Sequence, residues 1–512
     1  MKRCCLSVCI LNVLLVAACT GTISTLTSRA TLQAEKTTVT PTLLSSPTLT
    51  PRPTLTPRPT LTPRPTLTPH PTPAASPDVI IDHSALLTDG PIAYGTNGWW
   101  TDQDADLWQA RYAELGPQVV RLPLIHQFLE PTNDDADPAH VRWEGFGFDK
   151  ALPWSDRTIT YRRWFETLRD LNVTLMLYPP HLAGWLSANG DSGAYSTYPP
   201  ASVEEYREFI QATLTFLVDK INYPPDRIIL EPVNEPDLRC GQDPAVPCFW
   251  DQWTMDDLAA VVQAARQAAD AVDPAIRLAG LSTCCDHELV SRLMQDHDGA
   301  TLLDELTFHR YEPGFDQSPA IQIGKQYKNW GLPVYINEYG STRYWSDGQA
   351  GALWHAAALA QIWPQGLAPL QFTMSEFPGM HESYNKLGLF ADWTNNWEPK
   401  PAYAVYVGFS RHLGSSVPVS TTAQAPLVVM AGRIDDESTT VWTVNADQAE
   451  RPGVVFQARN FPVARAIVTV YDVLAGLDPV DTFAVTGIPL AWSYDLPAGS
   501  VHAFEISACV DH

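Results

Sequence analysis

Between residues 91 and 414, short runs rich in β-branched and aromatic residues alternate with longer amphipathic stretches. In the longer stretches, such as 203–220 and 255–271, apolar residues recur every three or four positions, which is typical of surface helices. The short runs predict eight strands, at 92–96, 118–122, 173–178, 227–233, 276–281, 305–309, 334–337 and 369–373. Eight strand-helix units without a glycine-rich phosphate loop favour an α/β fold of the (β/α)8 TIM-barrel type over an open doubly wound sheet.

After Gly414 the pattern changes to an alternation of apolar and polar positions. Short strands separated by turn residues are predicted at 427–430, 439–445, 454–458, 466–472, 482–486 and 500–506, which indicates a C-terminal antiparallel β-sandwich. Residues 79–87, ahead of the first barrel strand, are a candidate further strand of this sandwich. We therefore expect a barrel domain at 79–414 and a sandwich domain at 415–512, packed together because no linker composition separates them.

The first 19 residues have the pattern of an export signal. Lys2 and Arg3 precede an apolar run, 6–18, that is too short to span a membrane. The string Leu15-Val-Ala-Ala-Cys19 resembles the lipobox of bacterial lipoproteins, so Cys19 is expected to be lipidated; a plain secretory signal is the alternative. We therefore expect an exported protein, anchored by lipid to a bacterial membrane and facing the cell surface or the periplasm.

Residues 20–78 are rich in Thr, Pro, Ser and Leu, and the string Thr-Leu-Thr-Pro-Arg-Pro repeats from Thr48. Such a composition cannot form an apolar core. Its prolines favour an extended chain of about 3 Å per residue. We expect a disordered spacer between the lipid anchor and the folded domains.

The net charge limits the classes of binding partner, and the cysteines limit the possible disulfides and metal sites. A net charge of −24 argues against nucleic acid as a partner, and no motif predicts a cofactor. Of nine cysteines, Cys240 and Cys248 bracket a short loop and form a candidate disulfide, which an exported protein permits. The neighbours Cys284 and Cys285 either form a vicinal bridge or stay reduced, and Cys509 has no assigned pairing. Because no His joins the cysteines at zinc-site spacing, we expect no metal.

Two predicted strands end in an Asn-Glu pair, within Leu230-Glu-Pro-Val-Asn-Glu-Pro236 and Val334-Tyr-Ile-Asn-Glu-Tyr339. Barrel enzymes carry their chemistry at the C-terminal ends of the strands, so Glu235 and Glu338 are expected at the barrel mouth. Cleavage of a glycosidic bond with retention needs two carboxyl groups about 5 Å apart. The pair therefore predicts a glycosidase in which Glu235 is the acid/base and Glu338 the nucleophile.

These strings, with Thr307-Phe-His-Arg-Tyr311 and Phe372-Thr-Met-Ser-Glu376, resemble the retaining barrel glycoside hydrolases of clan A. They are most similar to family 39, which includes β-xylosidases and α-L-iduronidases. The resemblance runs from Pro91 to the C-terminus and implies hydrolysis of O-glycosidic bonds in poly- or oligosaccharides by double displacement, with a xylosidase-like specificity. Val233 and Phe372 stand where the family often has Trp, which leaves the sugar and its anomer open.

Further strand-end residues are candidate substrate-binding groups. Asn234 is expected to offer its amide to the sugar 2-hydroxyl, and Arg121 to hold Glu338 ionised by a charge-assisted hydrogen bond. The other candidates are His309, Tyr311, Trp185, Trp99 and Glu376. A carbohydrate-binding surface lipoprotein that keeps the fold without turnover is the alternative function, and the sequence does not indicate an oligomeric state.

Overall fold

A computed structural model of the chain describes residues 76–98, 105–135, 137–152, 159–188, 190, 198–237, 253–376, 386–391 and 395–509. Within these residues the chain forms a closed eight-stranded barrel and a separate nine-stranded sheet. The predicted α/β barrel with a C-terminal β-sandwich is therefore confirmed. Outside the described residues lie the signal segment, nearly all of the spacer, Cys19, Trp99, Cys240 and Cys248.

The first described strand, β1 (Val79–Leu86), belongs to the nine-stranded sheet and not to the barrel. We call this sheet the second unit. The barrel consists of β2 (Gly95–Asn97), β3 (Val119–Pro123), β4 (Thr174–Tyr178), β5 (Ile228–Leu230), β6 (Arg277–Thr283), β7 (Glu305–Tyr311), β8 (Val334–Gly340) and β9 (Ala368–Gln371). These strands pair in parallel in chain order, and β9 returns to pair with β2. All eight predicted strands are present, and β7 and β8 extend two and three residues beyond their predicted ends.

Helices cover the barrel between successive strands. They are α1 (Ala105–Leu115), α2 (His126–Leu129), α3 (Tyr161–Asp170), α4 (Val203–Thr215), α5 (Met255–Val272), α6 (Glu288–Asp296), α7 (Gly299–Leu302), α8 (Ser318–Lys328), α9 (Gly348–Ile362) and α10 (Pro401–Leu413). Helix α4 begins where the Ser202 hydroxyl accepts the Glu205 N–H, and a capping box of Thr254 and Asp257 begins α5. Within the described residues, no helix has the length and apolar character needed to cross a membrane.

The second unit consists of β1 and eight C-terminal strands: β10 (Val417–Ala423), β11 (Val428–Asp435), β12 (Ser438–Asn445), β13 (Arg451–Arg459), β14 (Arg465–Asp472), β15 (Pro479–Thr486), β16 (Leu490–Leu496) and β17 (Ser500–Ala508). They pair in the order β15-β14-β17-β12-β11-β10-β1-β13-β16, antiparallel except between β1 and β13. Phe456, Trp492 and Phe504 meet in one apolar core, around which the sheet folds as a sandwich. The sequence pattern identified β1 but missed β10 and β16.

The sandwich packs directly against the helices of the barrel. Phe409 of α10 meets Trp442 of β12 edge to face, with ring centroids 6.4 Å apart. Gly408 allows this close approach, because a Cβ there would lie 2.7 Å from a methyl carbon of Val473. One face of the sandwich therefore joins the apolar core of the barrel helices.

The barrel interior changes from apolar to polar along its axis. Its lower part is filled by Val119, Met176, Ile229, Ala279, Tyr335, Ala368 and Leu370. Toward the C-terminal ends of the strands it holds the buried polar residues Asn97, Arg121, Glu231, His309, Asn337, Glu338 and Gln371. This polar end is where (β/α)8 enzymes keep their chemistry.

Candidate active site

Glu235 and Glu338 lie together at the C-terminal mouth of the barrel. Glu235 follows β5, Glu338 is part of β8, and both side chains are buried. One carboxylate oxygen of each and a ring nitrogen of His309 lie within 4.8 Å of one another. His309 Nδ1 is 2.7 Å from Glu235 Oε1 and 3.4 Å from Glu338 Oε2. This spacing suits a retaining double displacement, whereas an inverting pair leaves roughly 6.5–9.5 Å for a water molecule.

The backbone at Glu235 is in the left-handed region, with φ of 49°, and so is that of Ser282, with φ of 52°. The Glu235 N–H donates to the Ser282 carbonyl at 3.2 Å, so the two unusual residues support each other. A non-glycine residue pays about 1–2 kcal/mol in this region. The surrounding structure must therefore hold the turn that brings the Glu235 carboxylate to His309.

Arg121, on β3, is fully buried and connects the polar groups of the site. Its guanidinium donates to four side-chain oxygens: Glu231 Oε2 at 2.5 Å, Asn234 Oδ1 at 2.6 Å, Glu338 Oε1 at 2.7 Å and Asn97 Oδ1 at 3.0 Å. The same group lies 3.6 Å from the ring centroid of Tyr178. Burial lowers the pKa of Arg121, whereas the charges of Glu231 and the other acidic groups raise it. The acidic groups have the larger combined effect, so the pKa lies above its usual value.

Sequence reasoning missed the buried groups that support Arg121. Glu231 accepts hydrogen bonds from the Ser282 hydroxyl at 2.7 Å and from Asn337 Nδ2 at 2.6 Å, in addition to Arg121. Asn97 Nδ2 in turn donates to the Asn337 carbonyl at 2.8 Å. The available signal for Glu231 was its position directly after a strand and before Pro232, whereas Ser282 and Asn97 belong to no motif.

The environments of the two carboxyl groups differ. Burial raises the pKa of Glu235 well above its usual range, and the negative charge of Glu338 raises it further. Burial also raises the pKa of Glu338, but Arg121 and the Tyr311 hydroxyl, which donates to Oε2 at 2.9 Å, oppose that rise. Burial and the charge of Arg121 lower the pKa of His309, so its ring is neutral. The site therefore favours a protonated Glu235 beside an ionised Glu338.

The other candidate residues separate into two groups. Asn234, Arg121, His309 and Tyr311 surround the carboxylate pair, and Phe372 lies edge to face with Tyr311 at 6.3 Å between ring centroids. Trp185 instead contacts the loop after β3, where its indole N–H donates to the Glu130 carbonyl at 3.0 Å. Glu376 forms an ion pair with Lys400.

The neighbouring thiols Cys284 and Cys285 follow β6. Their Sγ atoms are 2.9 Å apart, and neither is in a disulfide among the described residues. The Asp237 carboxylate holds this turn by accepting the backbone N–H groups of Cys284, Cys285 and Asp286, at 3.0, 2.6 and 2.5 Å. Of the two pairing states left open by the sequence, the structure has the reduced one.

Two clusters of the described residues offer several ligand atoms to a metal ion. The first is Glu235, His309 and Glu338, where Arg121 already supplies positive charge 2.7 Å from a Glu338 oxygen. The second, formed by Glu130, Asp134 and Glu208, lies between the loop after β3 and helix α4.

No protein-family model and no curated protein matches the sequence. The fold resembles that of a glycoside hydrolase family 30 subfamily 8 xylanase from Clostridium acetobutylicum (TM-score 0.62, 15% identity, 85% of this chain and 100% of that one). It also resembles a monomeric β-xylosidase from Caulobacter crescentus (0.56, 15%, 84% and 99%) and a GH39 enzyme from Xanthomonas axonopodis pv. citri (0.54, 15%, 85% and 98%). At this identity the likeness establishes a common fold, which spans nearly all of each of these proteins.

Proposed function

We propose that this protein is a retaining glycoside hydrolase that cleaves O-glycosidic bonds of poly- or oligosaccharides by double displacement. The observation that carries the proposal is the buried pair Glu235 and Glu338, with carboxylate oxygens within 4.8 Å of each other at the C-terminal mouth of the barrel. The fold shared with a xylanase and a β-xylosidase supports it.

In the first step, a Glu338 oxygen attacks the anomeric carbon while Glu235 gives its proton to the departing glycosidic oxygen. The bond from carbon to Glu338 forms as the glycosidic bond breaks, which leaves a glycosyl ester. This step needs a neutral Glu235, which burial and the charge of Glu338 favour. It also needs an ionised Glu338, which the hydrogen bonds from Arg121 and Tyr311 favour.

In the second step, the ester has removed the negative charge of Glu338, so the pKa of Glu235 falls. Glu235 then takes a proton from a water molecule that attacks the anomeric carbon and releases Glu338. Neutral His309, 2.7 Å from Glu235, positions the acid/base through both steps. Since Arg121 donates to Asn234 Oδ1, the amide N–H groups of Asn234 would be the ones to bind a sugar 2-hydroxyl.

The proposed specificity is xylosidase-like. Two solved proteins with this fold are named a xylanase and a β-xylosidase, which supports a pentoside substrate. Phe372, beside Tyr311, would border the sugar in place of a larger Trp. Rates of chromophore release from a panel of aryl pentosides and hexosides measure this specificity, and a hexoside preference would contradict it.

Azide rescue tests the two catalytic roles. Glu338→Ala should lose turnover, and added azide should give a glycosyl azide of inverted configuration because it replaces the nucleophile. Glu235→Ala should slow turnover severely, and azide should give a product of retained configuration because it attacks the glycosyl ester. Glu288→Ala, at an exposed position at the start of α6, is the control and should keep wild-type turnover.

The opposite pairing of products would contradict the assigned roles. If the wild-type protein binds carbohydrate but releases no chromophore from any aryl glycoside, the alternative of a non-catalytic carbohydrate-binding lipoprotein is favoured.

We also propose that the protein acts outside the cytoplasm, anchored by a lipid on Cys19. The lipobox-like string before Cys19 and the Thr/Pro-rich spacer after it support this placement. The spacer would let the barrel mouth reach a polymer away from the membrane surface.

A further inference from the structure

A second group of buried carboxylates lies away from the proposed catalytic pair, between the loop after β3 and helix α4. Glu130 and Asp134 come from the loop and Glu208 from the second turn of α4, and one carboxylate oxygen of each lies within 4.8 Å of the others. Glu130 is 0% exposed and Glu208 2% exposed. Asp135 and Glu205 add negative charge next to Glu208. We call Glu130, Asp134 and Glu208 the α4 acidic cluster.

Glu208 lacks the partner that a buried carboxylate normally has. Both of its carboxylate oxygens are buried, and neither accepts a hydrogen bond from any residue that the structure describes. The adjacent Arg207 donates instead to Glu204 at 2.9 Å and to Gln211 at 3.0 Å. Because buried charges in proteins are normally paired or bound to metals, the arrangement points to a cation as the partner of Glu208.

His126, the other ionisable group beside Glu130, does not supply the positive charge. Its Nδ1 accepts the Ala183 N–H at 3.1 Å, so the ring proton is on Nε2, which donates to Glu130 Oε2 at 3.3 Å. Burial against Phe209, with ring centroids 4.0 Å apart, lowers the pKa of His126 to about 3. The ring is therefore neutral and has no free nitrogen lone pair to offer a metal.

Burial and mutual repulsion raise the pKa values of the two buried carboxyl groups of the cluster. Burial is the largest cause, and the charge of Glu208 the second largest, of a rise in the pKa of Glu130 to about 9. Burial is also the largest cause, and the charge of Asp134 the second largest, of a rise in the pKa of Glu208 to about 8.

We propose that the α4 acidic cluster binds a calcium ion. Its donors are carboxylate oxygens, which suit a hard cation rather than metals that prefer nitrogen or sulfur. Calcium accepts several protein carboxylates in irregular geometry, whereas magnesium keeps most of its waters and uses one or two carboxylates. We expected no metal from the sequence because no His joins the cysteines at zinc-site spacing. This site had no sequence signal, since the loop and the helix are far apart in the chain and share no ligand motif.

A bound ion would tie the loop after β3 to the start of α4. Both segments border the end of the barrel that carries the proposed active site. Trp185 gives this position a spectroscopic probe, because its indole N–H donates to the Glu130 carbonyl at 3.0 Å. A terbium ion in place of calcium would lie within energy-transfer distance of that indole.

Titration of the chelator-treated, full-length protein with calcium chloride tests the proposal. The Tm should rise by roughly 3 °C at a calcium concentration 100 times the Kd, because the ion binds only the folded state. Terbium chloride should give tryptophan-sensitised luminescence that calcium then displaces. Glu208→Gln should abolish both responses without lowering the Tm in chelator, since it replaces a carboxyl group whose charged form burial disfavours.

Two further variants sharpen the test. Glu204→Gln is the matched control, because Glu204 lies one turn earlier on α4, is 63% exposed and pairs with Arg207; it should keep both responses. If Glu208→Gln does not fold, Asp134→Asn is the substitute test, because Asp134 lies closer to the surface. It should weaken calcium binding roughly tenfold or more. The proposal is overturned if the wild-type protein shows neither response at several millimolar calcium, or if Glu208→Gln responds like the wild type. An equal rise in Tm with magnesium would overturn the assignment to calcium.

Discussion

At the residue scale, two identical side chains acquire different chemistry from their neighbours. Glu235 and Glu338 are both buried, so burial raises the pKa of each. Only Glu338 accepts hydrogen bonds from the Arg121 guanidinium and the Tyr311 hydroxyl, at 2.7 and 2.9 Å. These bonds favour its charged form, and that charge keeps the proton on Glu235. One arginine and one tyrosine thus separate the proposed acid from the proposed nucleophile.

Tyr311→Phe should move the acid limb of the pH–rate profile toward higher pH, by roughly one unit. The hydroxyl stabilises the Glu338 carboxylate, so its loss raises the pKa of Glu338, and a higher pH is then needed to ionise the nucleophile. The alkaline limb, set by Glu235, should move less. The measurement is kcat/KM for an aryl glycoside as a function of pH.

The control for this change is Tyr339→Phe, because Tyr339 directly follows Glu338 on β8. The Tyr339 hydroxyl shares a hydrogen bond with Tyr406 of α10 and does not touch the carboxylate pair. Both limbs of its profile should stay in place. A uniform loss of activity in Tyr311→Phe at every pH would contradict the proposed role of the hydroxyl.

At the element scale, an irregularity in β8 assembles much of the site. The register between β7 and β8 shifts after Phe308, so that His309 lies opposite Glu338 and Asn337 is skipped. Consecutive residues of a regular strand face opposite sides. Here Asn337 reaches Glu231 and the next residue, Glu338, reaches Arg121, both inside the barrel. The bulge therefore lets two neighbouring side chains serve the same site.

Another element-scale feature is the contact of α10 with the sandwich. Gly408→Val should lower the free energy of unfolding by about 2 kcal/mol, because its side chain would overlap the buried Val473. Urea unfolding measures this change. Ala404→Val on the same helix, at a half-buried position, is the control and should cost less than about 1 kcal/mol. Equal effects at the two positions would mean that the interface has room for the added atoms.

At the scale of the whole molecule, the chain combines a predicted lipid anchor, a predicted spacer and two packed folded units. The net charge of −24 would oppose adsorption of the folded units to anionic lipid. In the proposed arrangement the lipid alone would hold the protein at a membrane, without a contribution from the folded units.

Cys19→Ser should therefore convert a membrane-bound protein into a soluble or unprocessed one, with catalytic activity unchanged. Detergent partitioning of the expressed protein, with an activity assay on each phase, measures the change. Cys509→Ser, at the other end of the chain, is the control and should leave partitioning as in the wild type. Membrane association of processed Cys19→Ser at high salt would show that another element is the anchor.

The sequence by itself determined the order and type of the main elements and one candidate catalytic pair. Each barrel strand and each long helix has its own local periodicity, so α/β units followed by a sandwich could be predicted without knowing any contact. Because the carboxyl ends of parallel strands meet at one rim, two Asn-Glu pairs at strand ends were enough to predict that Glu235 and Glu338 lie at the same mouth. Trp99, Cys19 and the Cys240–Cys248 pair stay predictions.

The tertiary structure alone decided which side chains meet. A strand pattern gives the buried face of a strand but not its partner across the barrel, so the contacts of Arg121 with Glu231 and Asn97 had no sequence signal. For the same reason, no motif indicated the contact of Trp185 with Glu130 or that of Glu376 with Lys400. The bulge in β8 and the α4 acidic cluster likewise depend on pairing between segments far apart in the chain, and that pairing is fixed only when the barrel closes.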